Sequence, residues 1–297
     1  MNKYKKVNGF TLIEIMVATI IMVILAGLLI QITSQVLDFW SRSTGKLSSG
    51  SEATMAIEII ANDIESSVFR NDGQEWFRAE NVYLDKPFNS GTVALRFFTV
   101  IKNKMLNSDG SVIPGDISAV AYNLEYANPI DGTSEGQKNF VLYRLQVDPL
   151  STYNNLLGLE SRLSLPDKDS TSWGKDNPIK GVNGENYLAS NIIDFSIKFY
   201  VEDDGNRNTT TEYFEKSPNN PRYSLIYGGK NATVGPQAKV AHYKKPLSHA
   251  DIKLTILSDE GVEMMRNIEK NAKTPEEVIL QHGEVYIRRV SFKTKPF

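Results

Sequence analysis

The residues with the clearest chemical consequence lie near the start of the chain, where residues 9–14 read Gly-Phe-Thr-Leu-Ile-Glu. An apolar run extends from Phe10 to Ile32, and Glu14 is the single charged residue within it. Burying a carboxylate in lipid costs roughly 2.5–3.5 kcal/mol on insertion scales. Glu14 is therefore expected to have a partner that stabilises its charge.

The length of this run predicts a membrane-spanning helix. A helix from Phe10 to Ile30 rises ~1.5 Å per residue and spans about 31 Å, which is close to the thickness of the hydrocarbon core of a bilayer. Lys3, Lys5 and Lys6 precede it. By the positive-inside rule these lysines keep the N-terminus in the cytoplasm and place the rest of the chain outside the inner membrane.

Two ordinary alternatives fit the same run less well. A secretory signal peptide would need a small-residue cleavage site, and Leu25-Ala26-Gly27, with Ile24 upstream, is a poor one. A plain membrane anchor gives no reason for a carboxylate at position 14. The basic start, the Gly-Phe junction and Glu14 together favour a more specific class of membrane segment.

The N-terminal segment resembles that of type IV prepilins, the subunits of helical filaments that assemble from the inner membrane. This resemblance implies that a prepilin peptidase cuts after Gly9 and methylates the new N-terminus, so that Phe10 becomes N-methyl-phenylalanine. It also implies that Glu14 attracts the N-terminal amine of a neighbouring subunit during assembly. That amine, with a reference pKa of ~7.7–8.0, would supply the expected partner.

The composition excludes several classes of function. The net charge is −2 and no basic run occurs outside the first residues, so nothing indicates a nucleic-acid partner. There is no cysteine, which excludes disulfides and thiolate sites. The spacings of His242, His249 and His282 fit no common metal motif. Nothing in the sequence arranges its Ser, His and Asp residues as a nucleophile elbow with its partners, and no Gly-rich phosphate-binding loop occurs, so we do not expect an enzyme.

The distribution of proline predicts one long N-terminal helix. None of the 12 prolines precedes Pro87, and an interior proline costs ~3 kcal/mol of helix stability. Apolar residues recur at steps of three or four at Ala53, Ile57, Ile60, Ile64 and Val68, which indicates one buried helix face. We expect the helix to continue to about Arg70 and to stop near Asn71-Asp72-Gly73.

The remainder predicts a β-rich head with long loops near 148–187 and 203–250. Alternating strands are expected at 93–100, 117–126, 140–147, 193–201, 252–256 and 285–292. A short helix is expected from Asp259 to Lys270, and Pro275 could begin another. The predicted fold class is therefore α+β and pilin-like, with a long N-terminal helix packed on an antiparallel sheet. The predicted segments are 1–9 (leader), 10–32 (transmembrane helix), 33–72 (amphipathic helix extension) and 73–297 (periplasmic or extracellular head).

One loop contains a weak calcium candidate. Asp204, Asn206, Asn208 and Glu215 stand at positions 1, 3, 5 and 12 of a loop, which is the ligand spacing of an EF-hand. Position 6 is Thr209 rather than glycine, and helical flanks are absent. The alternative is a polar hairpin turn in which Asp204-Gly205 reverses the chain after the 193–201 strand. The expectation is no cofactor, with calcium the one possible exception.

The order of elements also resembles the J-type minor pseudopilins of type II secretion, and W-type minor pilins share much of it. The matching segments are 55–68, 120–124, 141–144, 193–200, 252–256 and 286–292. The head is longer than a typical J-type subunit. This resemblance implies a minor pseudopilin at the filament tip that primes assembly and aids protein export, with other minor and major pseudopilins as partners. A minor pilin of a type IV pilus, with a role in assembly priming, adhesion or DNA uptake, is the alternative.

Overall fold

The computed structural model describes residues 11–70, 76–84, 90–101, 105–107, 109–133, 135–157, 179, 181, 184–203, 206–212, 224–227, 247–268 and 273–292. The chain divides into two compact units, 1–47 and 48–297. From Leu12 onward the first unit is helical, and the second is the head, which includes the C-terminal part of the same helix.

The helix α1 extends from Leu12 to Glu65, over 54 residues. Its end lies before the expected position near Arg70, because the following residues pair with the head. Ser67 forms a β-bridge with Thr99, and the backbone N–H of Val68 donates to the carbonyl of Phe98 at 2.8 Å. Val68 therefore does not extend the helical stripe. It packs against the core from an extended segment.

The head contains ten strands in the described residues, and they form two antiparallel sheets. In chain order they are β1 (Phe77–Leu84), β2 (Ser90–Val100), β3 (Ile117–Ala127), β4 (Asn139–Gln146), β5 (Tyr187–Ser190), β6 (Ile192–Asp203), β7 (Asn206–Glu212), β8 (Ser224–Tyr227), β9 (Leu247–Leu257) and β10 (Gly283–Ser291). The six-stranded sheet has the order β5-β4-β3-β2-β1-β8, and the four-stranded sheet has the order β10-β9-β6-β7.

Three short helices complete the described head, and local capping sets their limits. α2 (Pro149–Ser151) leads into a π-helical turn, Thr152–Leu157. α3 (Asp259–Arg266) begins at the N-cap Ser258 and ends at Asn267, before the expected Lys270. α4 (Pro275–His282) starts with a capping box between Thr274 and Glu277, which satisfies two N–H groups that the first helical turn leaves open.

The core lies between the two sheets and one face of α1. The buried helix residues are Ala53, Ala56, Ile57, Ile60, Ala61 and Ile64. Aromatic rings join the sheets: Phe77 of β1 lies 5.3 Å from Phe199 of β6, and Tyr122 of β3 lies 6.5 Å from Phe195 of β6, between ring centroids. Such pairs contribute about 0.5–1.5 kcal/mol each beyond the area that they bury.

The predicted α+β class, with a long helix and an antiparallel head, is confirmed. All six predicted strands are present, with ends shifted by a few residues. The two long loops that the sequence predicts contain some secondary structure. The 148–187 region contains α2 and the π-helical turn, and the 203–250 region contains β7 and β8. The sequences of β7 and β8 are polar or short, and they lack the features by which the other strands are predicted.

Candidate functional site: the N-terminal segment and the anchoring of its helix

The structure describes the predicted processing site only in part. Gly9 and Phe10 lie outside the described residues, which begin at Thr11. Glu14 is described and lies in the first turn of α1. The geometry around Glu14 is therefore the part of the predicted site that the structure can address.

Glu14 forms a capping box with Thr11 at the start of the membrane helix. One carboxylate oxygen, Oε2, accepts from the Thr11 backbone N–H at 2.8 Å and from the Thr11 hydroxyl at 2.9 Å. In return the backbone N–H of Glu14 lies 3.4 Å from the Thr11 hydroxyl oxygen. A Thr at the N-cap with a Glu three residues later satisfies helix donors in this reciprocal way. In this chain, Glu14 thus has a hydrogen-bonding partner within its own helix.

The segment that follows is long and apolar enough to cross a membrane. Leu12–Leu37 is 26 residues long with a mean hydropathy of 2.8, and none of it is buried. Its large apolar side chains are exposed along its length, and the hydrocarbon core of a bilayer would remove them from water. The apolar helix fits a membrane anchor.

In the head, three carboxylates of α1 flank its buried apolar face. At about 100° per residue, Glu52 and Asp63 lie on one side of that face and Glu58 lies on the other. Glu52 accepts from the Tyr187 hydroxyl at 3.0 Å and from the Ser190 backbone N–H at 3.1 Å, on β5 of the six-stranded sheet. Glu58 pairs with Arg288 of β10, in the four-stranded sheet. The carboxylates therefore join the 48–65 part of α1 to both sheets.

The most buried of these contacts is a three-residue cluster at the end of α1. The Tyr122 hydroxyl donates to Asp63 Oδ2 at 2.5 Å, and Arg144 Nε donates to the same oxygen at 2.8 Å. Arg144 Nε also lies 3.1 Å from the Tyr122 hydroxyl oxygen. Tyr122 and Arg144 are cross-strand partners of β3 and β4, so the sheet register holds both groups in place. We call these three residues the Asp63 cluster.

The Asp63 cluster is protected from water on most sides. Tyr122 is fully buried, while the side chains of Arg144 and Asp63 are 21% and 15% exposed. Asp63 and Arg144 help to line a surface pocket of about 400 Å³, together with Gln146. Arg144 Nη1 donates to Gln146 Oε1 at 3.0 Å, so the guanidinium binds a second acceptor on the pocket side.

The environment of the cluster shifts the pKa values of two of its members. Burial raises the pKa of Tyr122 well above its usual value of 10.0, and the neighbouring charge of Asp63 raises it further. Burial by itself would lower the pKa of Arg144, but the hydrogen bonds to Asp63 and Tyr122 outweigh it and raise that pKa. The cluster thus keeps the phenol protonated and the guanidinium charged.

The N-terminal segment is similar to a known family of sequences. Residues 4–30 match the sequence model of the prokaryotic N-terminal methylation motif. By this segment the chain is type IV pilin-like.

No curated protein sequence matches the chain. Among solved structures, a type IV-like pilin from Thermus thermophilus is similar at 6% sequence identity and a TM-score of 0.34, covering 82% of this chain and 96% of that one. A likeness at that level carries no argument about function. The methylation motif implies processing by a prepilin peptidase and assembly of the pilin type.

The predicted calcium residues are largely outside the part of the chain that the structure describes. Asp204 and Glu215 are not described, and Asn206 and Asn208 lie in β7, where only the backbone is described. β7 pairs with β6 so that Asp203 is the register partner of Asn206. That pairing is the one expected of the hairpin alternative.

Histidines do not assemble into a site within the described residues. His249 stacks on Tyr200 with ring centroids 4.2 Å apart, and His282 is buried at the end of α4. His242 is not described. No group of three or more His, Cys, Asp or Glu residues that could hold a metal ion occurs in the described parts of the chain.

The partners of α1 in the head were not predicted from the sequence, and neither was the Thr11–Glu14 capping box. No local sequence pattern marks the head residues that bind the carboxylates of α1, because these carboxylates are far away in sequence. The head residues are Tyr122, Arg144, Tyr187 and Arg288. The Thr11–Glu14 capping box did have a signal, since a Thr followed three residues later by Glu before an apolar run is a helix-start signature.

Asp63→Asn should lower the free energy of unfolding of the head by about 2 kcal/mol or more, because it leaves the partly buried Arg144 without its counter-charge. Urea unfolding of the full-length chain in detergent micelles, followed by tryptophan fluorescence, measures this change. Glu58→Gln is the matched control, since its ion pair is exposed, and it should change the free energy by less than about 1 kcal/mol. Equal effects of the two variants would contradict the importance given to the Asp63 cluster.

The stability of the head should fall as the pH rises above about 10, the reference pKa of tyrosine. Above that value the unfolded chain releases the Tyr122 proton, while the folded chain keeps it because burial and Asp63 raise the pKa. Since the unfolded state then binds fewer protons, the free energy of unfolding decreases with pH. Unfolding curves at several alkaline pH values should show a shallower decrease in Tyr122→Phe. An identical slope in the variant would show that Tyr122 titrates normally.

Proposed function

We propose that this chain is a minor pseudopilin of a type II secretion system. A prepilin peptidase cuts it after Gly9 and methylates Phe10, and the helix that begins at Phe10 anchors it in the inner membrane. The N-terminus lies in the cytoplasm and the head in the periplasm until the subunit enters the filament. The observation that carries the processing, anchoring and assembly in this proposal is a glutamate that accepts from Thr11 at the head of an apolar helix, within a matched methylation motif. The choice of a type II secretion system rests on the resemblance of the order of elements to that of J-type minor pseudopilins.

The geometry of Glu14 suggests how one carboxylate serves two stages. Both Thr11 donors bind Oε2, so neither of these two bonds uses Oε1. Satisfying one oxygen within the helix lowers the cost of holding the charge in lipid while the subunit waits in the membrane. The other oxygen can accept from the methylated amine of a neighbouring subunit. We infer that capping and assembly use different oxygens of the same side chain.

The head supports a position at or near the filament tip. Its 73–297 segment is large, and bulky insertions would clash if such a head were repeated at every turn of a tightly packed filament. At a tip, the head is free to contact other minor subunits and to prime assembly. Its proposed partners are the prepilin peptidase, other minor and major pseudopilins, and the inner membrane. We propose no catalytic role and no nucleic-acid partner.

A minor pilin of a type IV pilus is the alternative function. The methylation motif, the anchor and the processing step are common to both classes, so none of these features favours one of them. A role in adhesion or DNA uptake would require head surfaces suited to those ligands. The two alternatives therefore differ in the machine that incorporates the subunit.

Processing can be tested by mass spectrometry of the chain recovered from membranes. The mature protein should begin at Phe10 and carry one added methyl group, and Gly9→Val should remain uncut because a larger residue blocks the peptidase site. Glu14→Ala should still be cut, but it should enter filaments poorly because it lacks the acceptor for a neighbouring amine. A Glu14→Ala variant that enters filaments at the normal level would rule out the assembly role of Glu14.

The choice of machine can be tested by quantitative proteomics of sheared culture supernatants from the wild type and a clean deletion. Loss of exported enzymes with filament subunits unchanged is the result expected for a pseudopilin. Loss of a major pilin with secreted enzymes unchanged would replace this function with that of a minor pilin.

A further inference from the structure

The last strand of the head, β10, lies at an edge of the four-stranded sheet. Among the described residues it pairs with β9 on one side, and no described strand pairs with it on the other. An unpaired strand edge presents a row of backbone N–H and C=O groups that can pair with another strand. β10 is nine residues long, long enough for such pairing.

The hydrogen bonds at the two ends of β10 show which of its residues point outward. The N–H of Phe292 donates to the Ser248 carbonyl at 3.0 Å, and the N–H of Ser258 donates to the His282 carbonyl at 3.0 Å. Bonded pairs alternate along an antiparallel ladder, so the even-numbered residues between these ends bond to β9. Val285, Ile287 and Arg289 therefore direct their backbone groups to the free edge.

The side chains of the same three residues are exposed. The exposed fraction is 54% for Val285 and 68% for Ile287, and 62% for the Arg289 side chain. The even-numbered side chains point the other way, toward α1, where Tyr286 lies over Gly50 and Arg288 pairs with Glu58. Backbone groups and two apolar side chains are thus available together on one strand.

The charges along the edge indicate the chemistry of its partner. Arg288 and Arg289 follow the apolar pair directly, with side chains 45% and 62% exposed. Glu284 is the one acidic residue of β10. Although Arg288 and Arg289 each pair with one carboxylate, Glu58 and Asp251, their exposed surfaces leave room for another. An incoming strand with a carboxylate beside Arg289 would be complementary.

We propose that the free edge of β10 is a docking site for an extended strand of another protein subunit. The partner strand is apolar where it lies beside Val285 and Ile287, and acidic where it lies beside Arg289. Main-chain hydrogen bonds supply affinity, and the two apolar side chains and the arginine supply register and specificity. The proposal rests on the proposed function in one respect, since it supposes that the head contacts other subunits.

The free edge itself can be tested by amide hydrogen exchange. NMR of the full-length, isotope-labelled chain in detergent micelles should show fast exchange at Val285, Ile287 and Arg289, and slow exchange at Tyr286 and Arg288. The alternation follows because only the even-numbered amides bond to β9. Slow exchange at all five amides in the dilute protein would overturn the proposal, because the edge would already be covered.

Binding can be tested with a blocked synthetic peptide that alternates valine and threonine and carries one glutamate. The peptide should protect the three fast amides. Ile287→Pro should weaken binding by about tenfold or more, because it removes one outward N–H without removing a bond to β9. Ile287→Thr is the matched control, since it keeps the N–H and a β-branched side chain. A peptide with lysine in place of the glutamate should bind more weakly.

Several results would overturn this proposal. Equal binding to Ile287→Pro would exclude strand addition, and equal binding of the lysine peptide would exclude the charge preference. Protection that rises with protein concentration without peptide would identify a second copy of the chain as the occupant.

If Ile287→Pro does not fold, Val285→Lys with Ile287→Lys tests the same surface through its side chains. An uncut chain that binds the peptide would contradict the proposed function alone, and a cut chain that does not bind would contradict the edge proposal alone.

Discussion

The head depends on the burial of one face of α1 in the core that it shares with the two sheets. The residues of this face are small or β-branched, and they include Ala53, Ala56, Ile57, Ile60 and Ile64, which are all at most 5% exposed. Burial of each isoleucine side chain contributes about 1.5–3 kcal/mol.

Carboxylates at the borders of that face determine how the helix is oriented in the head. An apolar face can rotate or slide against a sheet at little cost, because dispersion and area burial are not directional. Hydrogen bonds are directional, and the Asp63 cluster fixes the end of the helix against β3 and β4. Glu52, which lies earlier in α1, holds the helix against β5 in the same way. Removing a member of such a cluster leaves a buried polar group unpaired, which costs more than the bond itself contributes.

At the other end of α1, the same kind of side chain solves a different problem. Glu14 lies in a segment that is long and apolar enough to cross a membrane, and in lipid no water would stabilise its carboxylate. The Thr11 backbone and hydroxyl donate to it locally, and the same contact satisfies donors at the helix start that lipid would leave open. Because both of these bonds use one oxygen, they are compatible with the contact to a second subunit that is proposed for the other oxygen.

The sequence by itself determined the features that depend on neighbours within a few residues. Apolar length, the basic start and Glu14 predicted the membrane segment, period-2 alternation predicted strands such as 193–201, and the absence of proline predicted α1. The tertiary structure decided where these elements meet. Asp63 lies 59 residues from Tyr122 and 81 from Arg144, and a pairing over such distances depends on strand register, which no local pattern encodes. It also decided that α1 ends at Glu65, because the end of β2 binds the residues that follow: the Val68 N–H donates to the Phe98 carbonyl, and the Ser66 carbonyl accepts from the Val100 N–H.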